Sequence, residues 1–118
     1  MKSREEQILD ALHTVYEGEF MRPYIEYGSW DLVEGEWGDV WYVPEGEGTM
    51  VGEVKDVIEG WGAWLSAPGY LDRTDTMVFE SFKDAIEHLW DLYGGEYEDL
   101  PPEKKEAFDV IERFLGGH

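Results

Sequence analysis

The chain has 118 residues, with 28 acids against 9 bases and a formal net charge of -19. That surplus repels phosphate and works against direct binding to nucleic acid or anionic membrane, both of which need Lys and Arg. Apolar residues make up 42% and aromatics 15%, too much for a disordered acidic tail, and the absence of cysteine excludes disulfides and thiolate chemistry.

Ser3 and Glu6 form a capping box, and Ile8, Leu9, Leu12, Val15 and Tyr16 recur at helical spacing. This predicts a helix from Ser3 to Glu17, stopped by Gly18. From Met21 the pattern turns aromatic and β-branched. Tyr24, Ile25 and Tyr27 read as one strand, and Trp37 with Val40, Trp41, Tyr42 and Val43 as another, with turns at Gly28-Ser29 and Gly35. Pro44 to Gly48 predicts a loop. Met50 to Ile58 is ambiguous between strand and helix; its β-branched residues favour a strand that continues beyond a break at Gly60 into Trp61 to Ser66. Gly62 between Trp61 and Trp64 signals a bulge or a close backbone approach.

Ala67-Pro68-Gly69 predicts a turn, and Thr76 to Phe79 a short strand. Ser81 is a good N-cap for a helix whose stripe is Phe82, Ala85, Ile86, Leu89, Trp90 and Tyr93, ended by Gly94-Gly95. Glu96 to Leu100 is an acidic connector. Pro101-Pro102 opens a last helix with Ala107, Phe108, Ile111, Phe114 and Leu115 inward, stopped by Gly116-Gly117. Strands grouped between helices give an α+β expectation for one domain over residues 1–118. It has an N-terminal helix, an antiparallel sheet of three to five strands, and two C-terminal helices packed on one face.

No catalytic or cofactor motif stands out, and neither enzyme activity nor a cofactor is expected. His88, flanked by Asp84 and Asp91, lacks a second segment bringing further ligands and reads as a surface salt bridge. Gly46-Glu47-Gly48 lacks the context of a phosphate loop. Close carboxylate pairs follow from composition alone. The longest charge-free stretch, residues 60–71, is too short to span a bilayer, and the N-terminus lacks the apolar core of a signal peptide, so a cytoplasmic location is expected.

The acids are unevenly placed. Between Arg22 and Lys55 there is no base, and a second base-free stretch follows Lys83 as far as Glu103. The candidate partner-binding residues are Glu26, Asp31, Glu34, Glu36, Trp37, Asp39, Trp41, Glu45 and Glu47 in the first stretch, with Glu96, Glu98 and Asp99 in the second. Carboxylates two apart on a strand lie about 6.6 Å apart, close to two phosphate steps of a DNA strand, about 6.8 Å. In size and charge the chain resembles, as a class, the acidic nucleic-acid mimics with which phages disable restriction, CRISPR or transcription machinery. The expected function is a non-enzymatic inhibitor bound to a basic nucleic-acid-binding surface of a partner protein. The alternatives are a small adaptor or immunity-type domain whose acidity serves solubility, and a small carboxylate-based enzyme or sugar binder.

Overall fold

Ser3 Oγ accepts the Glu6 N–H at 3.2 Å and starts α1 (Arg4–Tyr16), whose stripe of Ile8, Ala11, Leu12, Val15 and Tyr16 is buried. The computed structural model describes residues 2–67, 69 and 72–116. Gly18, at φ +89°, turns the chain from α1 toward the sheet. The predicted turn at Pro68 and the stop at Gly117 fall partly outside the described residues.

Strand β1 (Arg22–Glu34) runs unbroken through Gly28 and Ser29, where the sequence predicts a turn. Gly28 instead faces Gly60 across the ladder, so the glycine marks a bare patch inside a strand. A tight turn follows, closed by the Gly35 N–H donating to Asp39 C=O at 2.8 Å, with Gly38 at φ +82°. Trp37 therefore stands on the turn, and β2 is only Val40–Pro44. After a 3-10 turn at Gly48–Met50, β3 (Glu53–Ser66) continues through Gly60 without the expected break. Strand β4 (Met77–Phe79) completes a four-stranded antiparallel sheet in the order β2-β1-β3-β4.

One face of the sheet carries the main core. Ile25 of β1 and Trp61, Ala63 and Leu65 of β3 meet α1, α2 (Phe82–Asp91) and α3 (Pro102–Phe114). Ser81 caps α2 by accepting the Asp84 N–H at 3.1 Å, and Tyr16 donates to Leu89 C=O at 2.7 Å across the helices. Trp90 stacks on Tyr93 at 5.6 Å and meets Phe108 edge-on, so this aromatic pair packs helix against helix. Each fully buried large apolar side chain contributes about 1.5–3 kcal/mol.

Among the described residues the opposite face carries no helix, and it closes on itself. In a flat sheet of this order β2 and β4 would lie about 14 Å apart, three strand spacings. Their nearest Cα atoms instead come within 8 Å. Trp30 fills the resulting trough at 3% exposure, its indole N–H donating to Gly60 C=O at 3.2 Å. Gly62 is the close approach anticipated from the sequence: any Cβ there would overlap the Trp30 ring.

Candidate partner-binding face and aromatic cleft

The charge is almost entirely on the surface. Every acid except Asp31, Glu34 and Glu112 is exposed. Among the described residues the ion pairs are Lys2–Asp10 and Lys55–Glu53, so most carboxylates face solvent without a cation beside them.

The β1–β2 turn gathers much of the first predicted segment. Glu36 and Asp39 are exposed, Glu34 is half-buried, and Trp37 is 89% exposed. Glu34 pairs across the ladder with Glu53 of β3, a like-charge juxtaposition that disfavours the strand pairing. Met50, at the end of the 3-10 turn before β3, is 84% exposed. Glu45 and Glu47 are exposed between β2 and the 3-10 turn, and Glu26 is exposed midway along β1. Trp41 is half-buried; a Cβ on Gly35 would come 2.7 Å from its ring, so that glycine makes room for the indole.

Asp31 departs from the expectation. It is 4% exposed, and its Oδ2 accepts the N–H groups of Gly46 and Gly48, both at 3.0 Å. The carboxylate organises the loop from within and offers no surface to a partner. Its contact role is therefore replaced by a structural one. Its place in a base-free stretch of sequence could not show that the loop folds back over it.

Glu96, Glu98 and Asp99 are exposed around a 3-10 turn at Tyr97–Asp99, where Tyr97 packs edge-on against Phe108. They do not join the first group. Lys104, at the start of α3, donates to Glu17 C=O just ahead of β1, which puts this end of α3 beside the origin of the strand. The β1–β2 turn lies at the strand's other end, up to about 40 Å away along 13 residues, in a molecule 47 Å long.

The curled, helix-free face encloses a cleft of about 380 Å³. Glu26 and Trp30 line it from β1, Trp41 to Pro44 from β2, Glu47 from the loop, Trp64 from β3, and Arg73, Asp75 and Thr76 from the segment before β4. Tyr24 stacks on Trp64 at 5.6 Å, and the Arg73 guanidinium lies over the same indole at 5.0 Å. Arg73 also donates to Thr76 Oγ1 at 2.5 Å and to Thr74 C=O at 3.2 Å. Glu26, Trp41 and Glu47 were candidates from the sequence. Trp30, Trp64, Arg73 and Asp75 were not, since only the curl of the sheet brings them together; Gly62 was the one local signal.

His88 sits against Phe79 at 5.3 Å, and among the described residues no group of three His, Asp or Glu is arranged to hold a metal ion. Among those residues no helix is long and apolar enough to cross a membrane. No protein-family model, curated protein or solved structure matches the chain.

Proposed function

We propose that the protein is a non-enzymatic inhibitor that docks its acidic β-ribbon on a basic nucleic-acid-binding surface of another protein and so keeps nucleic acid away from it. The observation that carries this reading is Trp37, 89% exposed on a turn shared with Glu34, Glu36 and Asp39. An indole in solvent contributes nothing to this fold, whereas tryptophan is among the residues that most often anchor interfaces. Carboxylates around it steer a cationic partner and speed encounter, and the buried anchor slows release. The Glu34–Glu53 pairing supports the same reading, because it opposes strand pairing and yet is present. Glu96, Glu98 and Asp99 form a second contact only for a partner whose basic surface runs the length of the molecule. Phage anti-restriction, anti-CRISPR and transcription-inhibiting proteins are the class this describes.

The test is capture of partners from a nuclease-treated lysate of the source cells, followed by challenge with a DNA duplex of about 20 base pairs, long enough to span the molecule at about 3.4 Å per step. Release of the captured partner by the duplex is the expected result. A partner that stays bound under saturating duplex overturns the proposal and favours an adaptor whose acidity serves solubility.

A further inference from the structure

The cleft on the helix-free face has a chemistry of its own. Its volume of about 380 Å³ lies near the lower end for small-ligand sites, suited to a side chain or a compact ligand. Among the described residues three carboxylates line it, Glu26, Glu47 and Asp75, against the single cation Arg73, and none of them forms an ion pair with that cation. The negative surplus disfavours a phosphate or carboxylate ligand. The walls are aromatic, and the cleft already holds one guanidinium over an indole, that of Arg73 at 5.0 Å from the centre of the Trp64 ring. A guanidinium is planar and weakly hydrated, so it leaves water for an aromatic wall more readily than a compact ammonium does.

We propose that this cleft is a guanidinium site, which takes an arginine side chain of the docked partner between the carboxylates of Glu26 and Glu47 and the aromatic wall. The inhibitor reading is needed only for the source of the arginine; the recognition chemistry belongs to the cleft. An arginine there pins the ribbon's orientation on a basic surface, adding to the anchor at Trp37 a second contact on a different part of the ribbon.

The test is titration of the full chain with N-acetyl-arginine amide, followed by the indole N–H signals in NMR. N-acetyl-lysine amide and methyl glucoside serve as comparators. Saturable shifts at Trp41 and Trp64, with Trp37 unmoved, are expected, and the lysine compound binds at least about threefold more weakly. Combining Glu26→Gln with Glu47→Gln, both at exposed side chains, weakens arginine binding about fivefold while leaving the spectrum of the fold unchanged. The proposal is overturned if no cleft indole responds, if Trp37 shifts in parallel with them, or if methyl glucoside shifts them at the same concentration, which marks a neutral-ligand site. Arginine binding that persists when duplex DNA fails to displace a captured partner refutes the docking reading alone. Displacement by duplex without arginine binding refutes the cleft alone.

Discussion

The Trp30 indole lies across Gly62, on the neighbouring strand, with no room for a side chain between ring and backbone. The contact allows the sheet to close over its helix-free face: the bare backbone at Gly62 admits the ring, the ring fills the trough, and β2 and β4 approach across it. The aromatic cleft exists only because of that curl.

Replacing Gly62 with Ala forces the ring or the strand to move. A loss of about 1–3 kcal/mol is expected, the usual cost of overpacking, together with altered near-UV circular dichroism from the Trp30–Trp64 pair. Gly28→Ala is the control: it meets nothing within 4 Å, and its change stays within about 1 kcal/mol. Urea unfolding of the two variants decides; equal stabilities contradict this role for Gly62.

Asp31→Ala leaves the N–H groups of Gly46 and Gly48 without their acceptor, the latter in a buried residue. The expected destabilisation is about 2–3 kcal/mol, whereas Glu36→Gln, on the open turn, changes stability by less than about 0.5 kcal/mol. Denaturant midpoints for both variants check this. A harmless Asp31→Ala means that the carboxylate is free for a partner after all.

Much of this architecture was legible in the sequence, for reasons that differ from element to element. Ser3 and Ser81 act locally, each accepting the backbone N–H three residues on, so the helix starts could be read from short segments. Gly28 misled, because a glycine inside a strand and a glycine in a turn look alike until the opposite strand is known; its partner is Gly60, 32 residues away. The exposure of the acids followed from composition, whereas Trp37, read as part of a strand, stands on the turn because β2 starts only at Val40. The cleft was not legible, since Trp30, Trp64 and Arg73 meet only through the curl, and Asp31 was grouped with the surface acids by its place in a base-free stretch, which does not reveal the loop N–H groups that bury it.

Burial holds the Tyr16 phenol well above its ordinary value of 10, with the charges of Tyr93 and Glu19 adding to the shift. As pH rises past about 10 the unfolded chain releases this proton first, so stability that is fully present below pH 10 falls as pH climbs toward the folded value. Tyr16→Phe is expected to lose about 1 kcal/mol at neutral pH with the hydrogen bond to Leu89, and to show a shallower alkaline decline. Some decline remains from Tyr27, raised by its hydrogen bond to Glu59, and from Tyr93, raised by burial. Thermal unfolding between about pH 8 and 11 measures both slopes; parallel slopes contradict the assignment.

Strand β1 pairs with β3 along its length but with β2 only from Trp30 onward. Glu45 N–H donates to Ser29 C=O on the β2 side, and alternate residues of an antiparallel strand point to the same edge, so Ile25 and Tyr27 turn their backbone groups to an edge that no strand covers among the described residues. Hydrogen exchange is expected to be fast at these two amides and slow at Tyr24 and Glu26, which face β3. Protection at Ile25 and Tyr27 equal to that of their neighbours means that another chain adds there.

Docking of the acidic ribbon on a basic surface is read out by the affinity of a captured partner for the wild-type chain and for the combined variant Glu34→Lys, Glu36→Lys, Asp39→Lys. Both are titrated from about 50 mM to about 500 mM salt, a range over which screening becomes severe. Wild-type affinity is expected to fall steeply with salt, and the variant, still folded by circular dichroism, to bind at least about tenfold more weakly at the lowest salt with a flatter slope. Equal affinity and equal slope for the two proteins would contradict docking through this ribbon.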